Sequence, residues 1–417
     1  MSLLCRDVRI VDEQTDSVGS VYIERGRIVA VVEAGVPIES CRPTMIIEGK
    51  AAGSDNRLVL MPSFIDLHAH FREPGFPDKE TLESGSLAAV AGGYGTVVCM
   101  ANTRPVIDSV EAAMALCARA QTLGLIDLYP VLALTRGMEG KDSSHLVEAA
   151  GSALIGDAIR MLSEDGKDVA DDLAMVAAME AARELDLPVS CHCDSGGEAA
   201  ATARAIRLAG QAGCRVHVAH VASVGALAAI RAARKAGMGR RELTCEVTPH
   251  HLALTTADAR SLGVDSWGRV APPLGTDADR AALLAAIQDG TVDALATDHA
   301  PHRAEDKLSG APGFTGLETA FAIYLGALVQ AGLITLGRLS ALLSANPARI
   351  LGLHDRGRVQ TGLRADLVLV DPALDWTVQQ MDFRSRGANS PFIGRHCRGR
   401  VLMTLRAGNV VYDRSQA

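Results

Sequence analysis

The chain has 417 residues, with 41 lysines and arginines against 49 aspartates and glutamates, so its formal net charge is −8. That balance excludes the concentrated basic surface of a nucleic-acid binder, and no apolar run reaches the ~18 residues needed to span a bilayer. Hydrophobic residues make up 48% of the chain but aromatics only 3%, so the core must be built from Ala, Val, Leu and Ile; Arg6 and Asp7 leave no room for a signal peptide's apolar stretch and point to a cytoplasmic protein.

The first sixty residues read as short strands with tight turns. VYIERGRIVAVV is two strands about Glu24–Arg25–Gly26–Arg27, and MIIEGKAAGSDNRLVLMP continues the pattern. From residue 61 the grammar changes. Eight short apolar runs follow: FIDLHAH, GTVVCMAN, LYPVLALT, DAIRMLSED, LPVSCHC, CRVHVAH, LTCEVTP and DALATDHA, each succeeded by an Ala-rich stretch with helical spacing. Strands alternating with helices predict parallel pairing through crossovers, and eight such units predict a (β/α)₈ TIM-type barrel rather than an open doubly wound sheet. No Gly-rich phosphate fingerprint follows the first run, which argues against dinucleotide binding. After residue 354 short strands return in ADLVLVDP and in VLMTLRAGNVVYD, which turns at Ala407–Gly408–Asn409. Neither end can bury a core alone. Residues 1–60 and 355–417 are therefore expected to form one composite β-sandwich domain, beside a barrel of residues 61–354.

The polar residues that end the predicted strands carry the chemistry. His68 and His70 close the first run as HxH, on one side of a strand. Glu164 and Asp165 end the fourth run, His192 the fifth, His220 the sixth and Asp298 the eighth. Barrel active sites occupy this C-terminal face. With 12 histidines in the chain, one HxH alone says little; a set on one face of one barrel says much more. Four histidines and two carboxylates exceed the needs of one tetrahedral zinc and suit two metals sharing a carboxylate and a hydroxide, equipment for opening an amide without a protein nucleophile. No GxSxG elbow is present. The nine cysteines include no CxxC pair and read as reduced thiols. Cys191 and Cys193 flank His192, but on a strand they face away from it.

The motifs FIDLHAHFREPG, MANTRP, TCEVTPHHLALT, APPL, ATDHAPH and GLETAF closely resemble those of the class I dihydroorotases of the amidohydrolase superfamily, over nearly the whole chain. The resemblance implies a zinc-dependent reversible cyclisation of N-carbamoyl-L-aspartate to L-dihydroorotate, in pyrimidine synthesis. It implies two zinc ions, one on His68 and His70 and the other on His192 and His220, with Asp165 bridging. Asp298 would bind metal and act as the catalytic acid/base. Arg72 and Asn102 would grip the substrate carboxylate, with His302 and the Pro312–Gly313 backbone completing a substrate pocket that also touches His70. Asp66 would be structural, His250 and His251 non-ligating, and His299 would point out of the barrel.

The chain also departs from the family pattern. Ala271 and Gly275 stand where the family's NPPLR has Asn and Arg, Ala101 replaces a proline, and the His192–His220 connection is short. Two other readings stay open: hydrolysis of another cyclic amide or ureide such as hydantoin or allantoin, and a non-catalytic partner of aspartate transcarbamoylase. No lysine lies in DAIRMLSED to serve as the carboxylated bridge of the hydantoinase branch, and the full ligand set argues against the silent partner. Beyond a small-molecule substrate, a homodimer and a transcarbamoylase subunit are the candidate partners.

Overall fold

The computed structural model describes residues 2–38, 41–50 and 57–416. All eight predicted runs form strands. They are Phe64–Ala69, Tyr94–Cys99, Asp127–Pro130 continued by Leu132–Ala133, Leu162–Ser163, Val189–Cys191, Val216–Val218, Leu243–Val247 and Ala294–Leu295. Neighbours pair in parallel in chain order. The ring closes where His299 bridges Ala69 and its carbonyl accepts the His70 amide at 2.8 Å. Strand four is shorter than its sequence suggests, because the Ala158 and Ile159 amides turn back onto the Leu154 carbonyl.

Helices cover the outside, and local chemistry sets their ends. Ser109, Asp171, Ser223 and Thr276 each cap a helix by accepting a backbone N–H two or three residues into it. Gly124 and Gly213 end two helices in the left-handed conformation. Small side chains such as Ala88, Ala89, Ala178, Ala182, Ala209 and Ala226 fill the helix–strand interface, as a core poor in aromatics requires.

The chain's two ends build a second layer. Ser2–Val11 pairs with Asp16–Glu24, Met45–Glu48 and Val59–Pro62, and this last strand pairs with Leu367–Val370. Leu367–Thr377, His396–Arg406 and Asn409–Asp413 extend the same sheet. Both expected hairpin turns form, with positive φ at Arg25 and Gly26 and at Ala407 and Gly408, the type I′ pattern that suits twisted strands. The sheet folds over on itself: Ile28 exchanges backbone hydrogen bonds with Leu363 and Gly362, and Ala365 N–H donates to Gly26. Leu3, Ile10, Ile23, Leu60, Leu367 and Leu405 fill the sandwich so formed. The turn expected within MIIEGKAAGSDNRLVLMP falls largely on residues 51–56, outside the described residues.

Candidate metal centre and active site

The expected ligands converge at one end of the barrel. Asp165 stands at the middle, its Oδ1 3.2 Å from His68 Nε2, 3.4 Å from His192 Nδ1 and 3.6 Å from His220 Nε2, and its Oδ2 3.5 Å from His70 Nε2. Asp298 Oδ1 lies 3.3 Å from His70 Nε2 and 3.6 Å from His68 Nε2. Two overlapping triads, His68–Asp165–His220 and His68–His70–Asp298, each bring ligand atoms within 4.8 Å of one another, all buried. His192 belongs to neither triad, yet its Nδ1 is 3.0 Å from His220 Nε2.

The donor set fits metal ions. His68 Nε2 and Asp165 Oδ1 are buried without a hydrogen-bond partner among the described residues, although unpaired buried polar atoms are costly. Tautomers are also arranged for ligation. Asn102 Oδ1 can only accept, so His70 Nδ1, 3.0 Å away, carries the proton and Nε2 keeps its lone pair toward Asp165 and Asp298. Glu246 Oε1, 3.3 Å from His68 Nδ1, favours the same tautomer there.

Electrostatics follow the cluster. Burial alone would raise Asp165 and Asp298, but the surrounding histidines outweigh it and hold both carboxyls well below their ordinary range. Asp165, Glu246 and Asp298 likewise overcome burial to raise His68, and Asp165 does so for His192. His220 is lowered by burial and by its two histidine neighbours. Arg72, His220 and Asp298 all hold positive φ without being glycine, the kind of strain that gathers at functional sites.

A cavity of about 160 Å³ opens over this cluster, lined by His70, Arg72, Asn102, Asp165, Gly166, His192, His220, Ala271, Asp298, Ala300, His302, Pro312 and Gly313. Arg72 donates through Nε to the Pro301 carbonyl at 3.2 Å, and its Nη2 is 3.1 Å from His302 Nε2. Burial lowers Arg72 to about 10, so it stays cationic at neutral pH. Burial and the Arg72 charge push His302 down to about 2, so its imidazole is neutral. Gly313 has φ of 123°, and a Cβ there would meet the Ala300 Cβ at 2.6 Å; only glycine lets the backbone approach so closely.

The flanking residues separate cleanly. Glu164 turns to Thr135, accepting its amide at 3.0 Å and its hydroxyl, and so leaves the centre to Asp165. His251 is held by Thr248 Oγ1 and the Pro272 carbonyl, His250 stacks edge-on against Phe314, and His299 lies between Glu80 and the Gly316 amide. Asp66 accepts from the Thr297 amide and hydroxyl, tying strand one to strand eight. Cys191 and Cys193 line a separate cavity on the helix side of the barrel.

Glu246 is a site neighbour that the sequence pattern does not mark. It is fully buried between His68 and His217, 3.1 Å from His217 Nε2, and these histidines hold it ionised, down to about 2, against the effect of burial. Its only trace in the sequence is a single acid inside the apolar run LTCEV.

Residues 59–411 match the amidohydrolase family. The chain is 37% identical to the dihydroorotase of Clostridium botulinum (strain Eklund 17B / Type B), over 99% of this chain and 100% of that one. It is also 37% identical to the dihydroorotase of Anaeromyxobacter dehalogenans (strain 2CP-1 / ATCC BAA-258), over 98% of this chain and 97% of that one. Among solved structures, L-hydantoinase from Arthrobacter aurescens superposes with a TM-score of 0.85 at 24% identity, covering 99% of this chain and 96% of that one. Dihydropyrimidinase from Brevibacillus agri NCHU1002 does so with a TM-score of 0.85 at 21% identity, covering 99% and 95%. The hydantoinase likeness is one of fold, whereas the dihydroorotase likeness extends to sequence along nearly the full length, and the chain belongs to the amidohydrolase family and, within it, to the dihydroorotases.

Proposed function

We propose that this chain is a zinc-dependent dihydroorotase that interconverts N-carbamoyl-L-aspartate and L-dihydroorotate in the cytoplasm, with a barrel of residues 61–354 carrying the site and residues 1–60 and 355–417 the accessory domain. The observation that carries the reading is a half-buried arginine, Arg72, on the wall of the same cavity as His70, Asp165, His192, His220 and Asp298, with His68 buried against Asp165 and Asp298 beneath. An amide-opening centre beside a carboxylate anchor suits a cyclic amide bearing a carboxylate.

In the hydrolytic direction, the oxygen of water bonds to the ring carbonyl carbon, the carbon–nitrogen bond breaks, and a proton passes to the departing nitrogen. His68, His70, Asp165, His192, His220 and Asp298 would hold two zinc ions, which when bound acidify water and polarise the carbonyl oxygen. Asp298, an ionised carboxylate on the cavity wall, takes the proton from water and delivers it to the ring nitrogen. Arg72 offers a planar fork to the substrate carboxylate. Asn102 holds His70 on one side and faces the substrate on the other, while neutral His302 and the Pro312–Gly313 backbone close the ring pocket.

The hydantoinase reading is weaker, since no lysine lies in the fourth strand run and Asp165 takes the central place. The experiment is hydrolysis of L-dihydroorotate by zinc-reconstituted protein, measured beside hydantoin and allantoin. Preference for either of the latter, or no turnover of any of the three, would overturn the reading.

A further inference from the structure

Segment 384–390 comes from the C-terminal part of the chain, far from every residue assigned above, yet it lies against the active-site face. Four bonds fasten its first half. The Arg384 and Ser385 amides donate to the Glu318 carboxylate at 2.7 and 3.3 Å, the Arg386 amide donates to Glu80 Oε1 at 3.0 Å, and Ser385 Oγ donates to Glu80 Oε2. Gly387 then packs so tightly on Pro301 that a Cβ would meet its Cβ at 2.6 Å.

Asn389 follows, 2% exposed, with its carboxamide fully engaged. Oδ1 accepts the His302 amide at 2.9 Å, and Nδ2 donates to the Ala300 carbonyl at 2.9 Å and the Gly313 carbonyl at 3.1 Å. All three partners are backbone groups of the two loops that wall the cavity. Both donor hydrogens and an acceptor lone pair are used, which is a demand only a carboxamide meets in this space. One loop carries the Pro301 carbonyl that receives Arg72 Nε, and also His302, which neighbours Arg72 Nη2. The other carries Pro312, whose carbonyl is 2.9 Å from His302 Nε2.

We infer that Asn389 is a positioning residue for substrate recognition: it locks the 300–302 and 312–313 backbones together and so fixes the direction of the Arg72 guanidinium and the width of the ring pocket. The inference rests on the dihydroorotase reading for the identity of the group Arg72 holds, but not for the locking itself. It also explains how a pocket with Ala271 in place of asparagine keeps a rigid anchor, because the remaining arginine is braced from behind.

Two variants test it. Asn389→Ala removes all three bonds, and Asn389→Asp keeps the shape but turns an acceptor toward two carbonyls. Both should fold, since Lys307 Nζ still holds the Gly313, Ala311 and Arg269 carbonyls, each at 2.9 Å. Misplacing a binding group by about an ångström costs up to ~100-fold. The expected result is a fall of roughly ten- to a hundred-fold in kcat/KM for dihydroorotate, mainly through KM, with metal content unchanged. Inhibition by dihydrouracil, the same ring without its carboxylate, should change little. In an Arg72→Ala background the second substitution should add little, because the two act through one clamp. Amide hydrogen exchange, read without substrate, should quicken over residues 300–313 and stay unchanged over 64–70.

Unchanged exchange over 300–313 overturns the inference, as do equal losses for both ring compounds or full additivity with Arg72→Ala. Wild-type protein that fails to hydrolyse dihydroorotate would instead overturn the substrate reading, and the exchange measurement would still decide the locking.

Discussion

Asp298, just past the end of the eighth strand, has φ of 47°, an uncommon backbone conformation for a residue with a Cβ, and its carboxylate meets both His68 and His70. Replacing it with asparagine keeps the shape but removes the carboxylate proposed to carry the proton. Asp298→Asn should therefore retain the fold and lose about 10²–10⁴-fold in kcat, a result that circular dichroism beside steady-state kinetics will check. Full activity with metal bound would give the proton transfer to another group. Arg72 makes a sharper test of substrate. A charged hydrogen bond contributes about 1.5–3 kcal/mol, so Arg72→Ala should lower kcat/KM for dihydroorotate by roughly ten- to a hundred-fold or more while sparing a neutral ring. Equal losses on both would mean that Arg72 supports the fold. The histidines proposed as ligands predict a pH dependence. His68 and His192 are raised above the ordinary histidine value, so the metal-free centre holds protons that ligation must displace. Zinc binding should release protons at neutral pH and weaken as pH falls. Isothermal titration in two buffers of different ionisation enthalpy measures the release, and an identical heat in both would exclude it.

At the level of elements, the accessory sheet and the barrel are riveted through one aspartate. Asp127 opens the third barrel strand and receives Arg356, Arg364 and Arg406, the last two from the C-terminal region of the sheet layer, with Arg406 Nη2 at 2.7 Å. Burial opposes its ionisation, yet the three guanidinium groups hold its carboxyl well below the usual range. Removing one partner of a buried pair leaves uncompensated charge and costs about 3–5 kcal/mol. Asp127→Ala should destabilise by that amount in urea denaturation and leave kcat of the folded fraction intact, since the cluster lies at the strand's start and the active site at strand ends. A loss below about 1 kcal/mol would show the rivet to be screened. The strands and the polar residues that meet at their ends were legible in the sequence because short apolar runs followed by helical spacing, and His or Asp residues closing five of the eight runs, are local signals. Glu246 was not, since its meaning comes from His68 and His217 on other strands. Asn389 was hidden more deeply: its partners are backbone groups 76 to 89 residues away, and backbone groups leave no trace in composition. Strand four was overextended for a related reason, as a turn closed by main-chain carbonyls has no side-chain mark.

Across the whole molecule, the sheet of Ser2–Val11 and Val59–Pro62 gains its next strand from Leu367–Val370, and only Ser63 separates Val59–Pro62 from the first barrel strand. This ladder has a consequence for biosynthesis. The first strands leave the ribosome with one edge open, and the partner that covers it is made some 300 residues later. At about 5–20 residues per second, that edge stands unpaired for roughly 15–60 seconds in every round of translation. An exposed strand edge is a template for pairing with another chain, so the nascent protein passes through a window in which aggregation competes with completion of its own sheet.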